Sequence, residues 1–230
     1  MASSQQASGI LYLRTISVPP TRNESALGVG SDYIWHYEIM VANPQLVKVK
    51  SAMAAEICAN FNLDEKAKPL LREGMGPREF MDALVANKQF IPGIDFVAHA
   101  LPAREAIWWG CLCLQHACGS SLTPAEKAAA RAAVQWVMAP SEENRAAAKA
   151  PTDAAGPASP AGSLANAVFQ TGGNIAPPKA PPIAPGPFAP AKSVSAAVKI
   201  ASAKADPAKI KETQRLFFEL GIGVAEGRFG

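Results

Sequence analysis

No stretch of this 230-residue chain approaches the ~18 consecutive apolar residues that a membrane-spanning helix requires. A membrane protein is therefore not expected. The opening residues, Met1 to Gly9, lack both the basic segment and the hydrophobic run of a secretory signal, so a cytoplasmic location is expected. Cysteine is scarce: four in a chain of this size do not make a disulfide scaffold, which also fits a reducing compartment. Dense charge is missing too. The net charge is +3, and residues 191–230, with seven basic and four acidic side chains, account for all of it. Their lysines are spread out, whereas nucleic-acid binding needs a concentrated basic stripe, so no nucleic-acid partner is expected.

Catalytic motifs are equally sparse. Gly28-Val29-Gly30 is too short for a phosphate loop and lies in a polar segment, not between a strand and a helix. Serine-hydrolase signatures are absent, and no cofactor is expected. What is abundant is alanine, which favours closely packed helices, and proline. Of twenty prolines, more than half lie beyond residue 150, a change in character along the chain.

Residues 1–45 read as an N-terminal extension. Ile10 to Val18 is rich in strand formers, and Trp35, Tyr37, Ile39 and Val41 alternate with their neighbours in the period-two pattern of a half-buried strand. A small β-hairpin is expected there. From residue 46 onward the pattern is helical, giving one mainly α domain over 46–230, a compact bundle of short helices. Val47, Met53, Ala54, Ile57, Cys58 and Phe61 suggest a helix over 46–61, and residues 64–71 another. Pro77 opens a further helix, followed by 92–100 and a very apolar helix over 102–118 that stops at Gly119. Thr123, Pro124 and Glu126 spell a capping box. Residues 151–162, built from Pro, Ala, Gly and Ser with one Thr and one Asp, have a linker composition. Residues 163–170 read as a helix closed by Gly172-Gly173. The segment 176–190, with seven prolines from 177 on, is expected to run as an extended surface strap. Helices at 194–204 and 207–221 then return the chain to the body.

Four runs resemble a known family. They are His99-Ala-Leu-Pro-Ala-Arg-Glu-Ala-Ile-Trp-Trp109, Trp136-Val-Met-Ala-Pro-Ser-Glu-Glu-Asn-Arg145, the Gly172-Gly173 turn before the proline segment, and Leu220-Gly-Ile-Gly-Val-Ala-Glu-Gly227. Together they are similar to an uncharacterised bacterial family, a domain of unknown function, over about residues 50–230. The resemblance implies that the proline segment belongs inside one domain. It also implies a link to type VI-like secretion gene clusters, and it carries no catalytic residue.

Cys111, Cys113, His116 and Cys118 are the residue types of a zinc site, but their setting opposes it. At ~1.5 Å rise and ~100° per residue, Cys111 and Cys118 stand ~10 Å apart on one rod while the other two point elsewhere. No metal is expected, and the cysteines read as small hydrophobes. The reading depends on Ala103 to Cys118 being one unbroken, buried rod.

Two candidate sites remain. Trp108 and Leu112 fall within the stripe of Arg104, Glu105, Gln115 and His116. Arg104, four residues before Trp108, is positioned to stack on its ring. Either the helix is buried on all sides, or Arg104, Trp108 and Leu112 form a partner-binding stripe. The alternative is a polar site of His99, Arg104 and Glu105, where a histidine–carboxylate pair would serve an enzyme or a small-ligand sensor. The expected function is a non-enzymatic protein-interaction or accessory protein linked to a bacterial secretion apparatus, with a protein partner.

Overall fold

A computed structural model describes residues 45–119, 121–177 and 179–229. The expected N-terminal β-hairpin lies outside the described residues. Residues 42–230 cluster as one compact unit, and its described part is mainly helical.

The chain enters along residues 45–53 without forming the helix that its apolar spacing suggests. Tertiary partners take the backbone donors instead. Lys48 N–H donates to the Ala225 carbonyl at 2.9 Å, and Ala54 N–H to the Met75 carbonyl at 2.9 Å. Only Ala54–Cys58 (α1) is α-helical. The second expected helix shrinks to a 3-10 turn, Lys68–Leu70. Then come Pro77–Ala86 (α2), Phe90–Ala100 (α3) and Ala103–Cys118 (α4). Pro124–Met138 (α5) starts on the predicted capping box: Thr123 Oγ1 accepts from Glu126 N–H at 3.2 Å, and Glu126 Oε2 accepts from Thr123 N–H at 3.0 Å.

Residues 151–162 are not a linker. Glu142–Ala147 (α6) and Lys149–Ala155 (α7) lead into Pro160–Phe169 (α8). Pro151 stands in the first turn of α7, where its missing N–H has no helical partner to lose. Gly156 ends that helix, and Ser159 Oγ caps the next by accepting from Gly162 N–H at 3.0 Å. Proline, glycine and serine here punctuate helices, and the alanines between them let α7 pack on α5 and α8. After the proline-rich segment come Ala189–Ala203 (α9) and Ile210–Ala225 (α10), the latter preceded by a 3-10 turn capped by Asp206.

The centre is shared by α4 and α9. α4 packs against α5, α8, α9 and α10, while α9 packs against α3, α4, α8 and α10. α4 is unbroken, and Trp109 and Cys113 on it are fully buried. Gly110 sets the closeness of its contact with α8: a Cβ there would lie 2.3 Å from Leu164 Cδ2, so a larger residue would require that leucine side chain to shift. All four cysteines are buried as free thiols, and burial pushes the Cys58 and Cys111 thiols up to about 11 and about 12. Among the described residues no helix is long and apolar enough to cross a membrane, and no cluster of three or more His, Cys, Asp or Glu could hold a metal ion.

Candidate functional site

The residues singled out by the sequence separate into two regions. Arg104 is exposed, and its Nε donates to the Val137 carbonyl at 2.8 Å, tying the start of α4 to the end of α5. Trp108 is half-buried, and its Nε1 donates to the Phe229 carbonyl at 2.5 Å. Leu112 is half-buried against the core. Glu105 faces Lys48, with 3.5 Å between carboxylate and ammonium. His99 stands apart from Arg104 and Glu105: it lines a cleft whose walls contain neither.

That open cleft, about 360 Å³ in volume, lies between α3 and α9, with the segment after α1 on its rim. Helical spacing builds it. Asp95 and His99 are one turn apart on α3, and Lys192, Ser195, Ala196 and Lys199 recur at three and four residues on α9. The Asp95 carboxylate accepts from the Ser195 hydroxyl and, at 2.7 Å, from Lys199 Nζ. One oxygen thereby joins residues a hundred positions apart. His99 is buried between two aromatic rings, with centroids 4.8 Å away at Phe61 and 6.1 Å away at Phe188.

The imidazole's tautomer follows from its partner. His99 Nδ1 lies 2.8 Å from the Asp95 backbone carbonyl. A carbonyl only accepts, so Nδ1 carries the proton and Nε2 presents a bare lone pair. Nε2 is buried and has no hydrogen-bond partner among the described residues. Burial lowers the pKa of His99 below the usual 6.5, outweighing the contacts with Asp95, and nearby Lys192 and Lys199 push the same way. The ring is therefore neutral at pH 7.

The Ser195 hydroxyl donates to the Asp95 carboxylate and not to His99. Asp95, Ser195 and Lys199 went unnoticed in the sequence, although the four-residue step from Asp95 to His99 was a legible signal.

The proline-rich segment leads into α9, one wall of this cleft, but not as one extended path. Asn174 Oδ1 accepts from both Ala176 N–H at 3.0 Å and Ile183 N–H at 2.8 Å, and Ile175 N–H donates to the Ile183 carbonyl at 2.9 Å. The chain closes a loop on itself, helped by Lys179 in a left-handed conformation with φ 70°. The correction has a local cause. One carboxamide offers two hydrogen bonds that a fully extended chain would forgo. At this end of the loop Pro181 to Ala184 are exposed, with Ile183 at 52%. Phe188, at φ 57° and 42% exposed, turns the chain into α9 beside His99.

The four runs singled out in the sequence meet in pairs. Trp109 Nε1 donates to the Phe217 carbonyl at 2.8 Å, and Trp108 reaches Phe229, so the first run is bonded to the residues on either side of the fourth. Arg145, at the end of the second run, packs against Gly173 of the third. Residues 80–225 match the model of a family of unknown function, DUF6931. No curated protein and no solved structure gives a match.

Proposed function

The chain belongs to the DUF6931 family, and from that premise we propose that it is a non-enzymatic protein-interaction or accessory protein whose docking element is the exposed part of the proline-rich strap. One observation carries the reading. Pro181, Pro182, Ile183 and Ala184 are all exposed where Asn174 fastens the loop through the Ile183 N–H. Successive prolines fix φ near −65° and restrict the residues before them, so the segment is ordered before it binds and loses little entropy on docking. Pro182 and Pro185 have the spacing that aromatic-lined grooves read in polyproline helices. The partner is thus a protein with an aromatic-lined groove. Lys179 and Lys192, both exposed on either side, call for an acidic rim on that groove.

The pairing of the four runs supports the same conclusion. Trp108, Trp109 and Arg145 spend their polar groups on backbone carbonyls of the fold. The alternative site of His99, Arg104 and Glu105 has less support, because Arg104 and Glu105 are engaged away from the cleft that His99 lines. For the Arg104, Trp108 and Leu112 stripe to bind a partner, the C-terminal segment would have to leave Trp108. The resemblance read from the sequence extends the proposal to a bacterial cytoplasm and to a partner from a secretion apparatus.

The test compares captured proteins between the wild type and a Pro182→Ala, Ile183→Asp, Pro185→Ala triple variant. A partner recovered only by the wild type, displaced by a synthetic peptide of residues 179–190, supports the strap. Equal recovery by both chains overturns it. Loss of the partner on Trp108→Ala alone moves the surface to α4.

A further inference from the structure

The cleft holds an unused acceptor beside an unpaired cation. His99 Nε2 has a lone pair, no partner among the described residues and no exposure to water. A buried acceptor left unbonded is destabilising, so the site stabilises any ligand that brings a donor to it. The charges set the rest of the specificity. Lys199 is neutralised by Asp95 at 2.7 Å, whereas Lys192 forms no ion pair among the described residues and is exposed at the cleft's mouth. With His99 neutral, two lysines and one carboxylate leave a single positive charge in the lining. A monoanion matches that balance. A dianion would face Asp95 without a second free cation.

We propose that the cleft between α3 and α9 binds a small hydroxy monocarboxylate, its carboxylate on Lys192 and its hydroxyl donating to His99 Nε2. The inference does not depend on the docking reading of the strap. The cleft volume, about 360 Å³, lies at the small end of the range for ligand pockets and suits a compact acid. Phe188 is the gate. Its ring lies 6.1 Å from the imidazole, and its left-handed backbone at the head of α9 is a strained conformation for a residue with a side chain. Ligand entry at Nε2 moves that ring and relaxes the junction between strap and helix. Asn60 and Asn62 on the rim add amide groups for the remaining ligand oxygens.

The experiment uses the full chain and long-range proton–nitrogen spectra of the His99 imidazole. Glycerate and gluconate are the probes, with propionate, which lacks a donor, and inorganic phosphate as controls. Saturable movement of the Nε2 signal by either hydroxy acid is expected below about 10 mM, past the ~1 mM range typical of so small a ligand. Propionate should bind about tenfold more weakly, as losing one buried hydrogen bond implies. Lys192→Gln, at an exposed position that leaves the fold intact, should weaken glycerate about tenfold. No movement of Nε2 with either hydroxy acid overturns the proposal. Phosphate binding more tightly than glycerate, or Lys192→Gln binding as the wild type does, overturns the assigned ligand class.

Discussion

The Arg145 guanidinium lies against Gly173, where a Cβ would come within 2.4 Å of Nη2. Arg145 is almost fully buried. It donates to both Glu142 carboxylate oxygens at 2.6 Å and to the Phe169 carbonyl at 2.6 Å, and lies 5.0 Å from the Phe169 ring centroid. The strap therefore leaves the body over a buried cation already held by α6 and α8.

Gly173→Ala should destabilise the protein by about 2–5 kcal/mol, from about 1–2 for the left-handed backbone at φ 66° and a further 1–3 for the clash. Urea denaturation reads it. Arg145→Ala removes the clash, so the double variant should be more stable than the sum of the two single losses implies. Strict additivity would show that the two residues do not press on each other.

Trp108→Ala should lower the melting temperature, because it opens half-buried core packing and strips the Phe229 carbonyl of its donor, a loss of about 1 kcal/mol for the hydrogen bond alone. Trp108→Phe should recover the packing part. An unchanged melting temperature in Trp108→Ala would mark the indole as a free anchor for a partner.

His99 predicts a pH dependence with a definite sign. Its folded pKa is lowered, so below 6.5 the unfolded chain binds the proton more readily than the folded one. Stability from this group is complete above pH 6.5 and is lost as the pH falls towards the lower folded-state pKa. Asp95, Lys192 and Lys199 are the charged groups that face the ring. In denaturant titrations at pH 7.5 and 5.5, His99→Phe should lose less stability on acidification than the wild type. Equal losses would place His99 outside this account.

The thiols give a chemical check. Cys111 and Cys58 are pushed up to about 12 and about 11, and burial also raises Cys113 and Cys118. At pH 8 almost no thiolate exists to attack a disulfide reagent. Native protein should react slowly with such a reagent, and all four thiols should react once it is denatured. Rapid labelling of one thiol in the folded state would reveal a reactive cysteine.

Much of the fold was legible wherever one turn of chain carries the information. Thr123, Pro124 and Glu126 fixed the start of α5, because a capping box closes within three residues. The apolar arc of 103–118 and the close approach at Gly110 could be read from the helical period and the missing side chain. The entry segment 45–53 could not, since the donors of Lys48 and Ala54 are claimed by carbonyls far along the chain or across a loop. The same holds for Pro151 and Gly156, which look like linker until their neighbours pack as helices.

What the sequence determined by itself was therefore the rods: their periods, caps and stops, each set by hydrogen bonds and steric limits a few residues long. Packing decided which rods met. It placed Ser195 on Asp95 across a hundred residues, seated Arg145 under Gly173, and left His99 Nε2 without a partner. Those contacts depend on which faces are buried together, and side-chain complementarity between distant segments has no period to read.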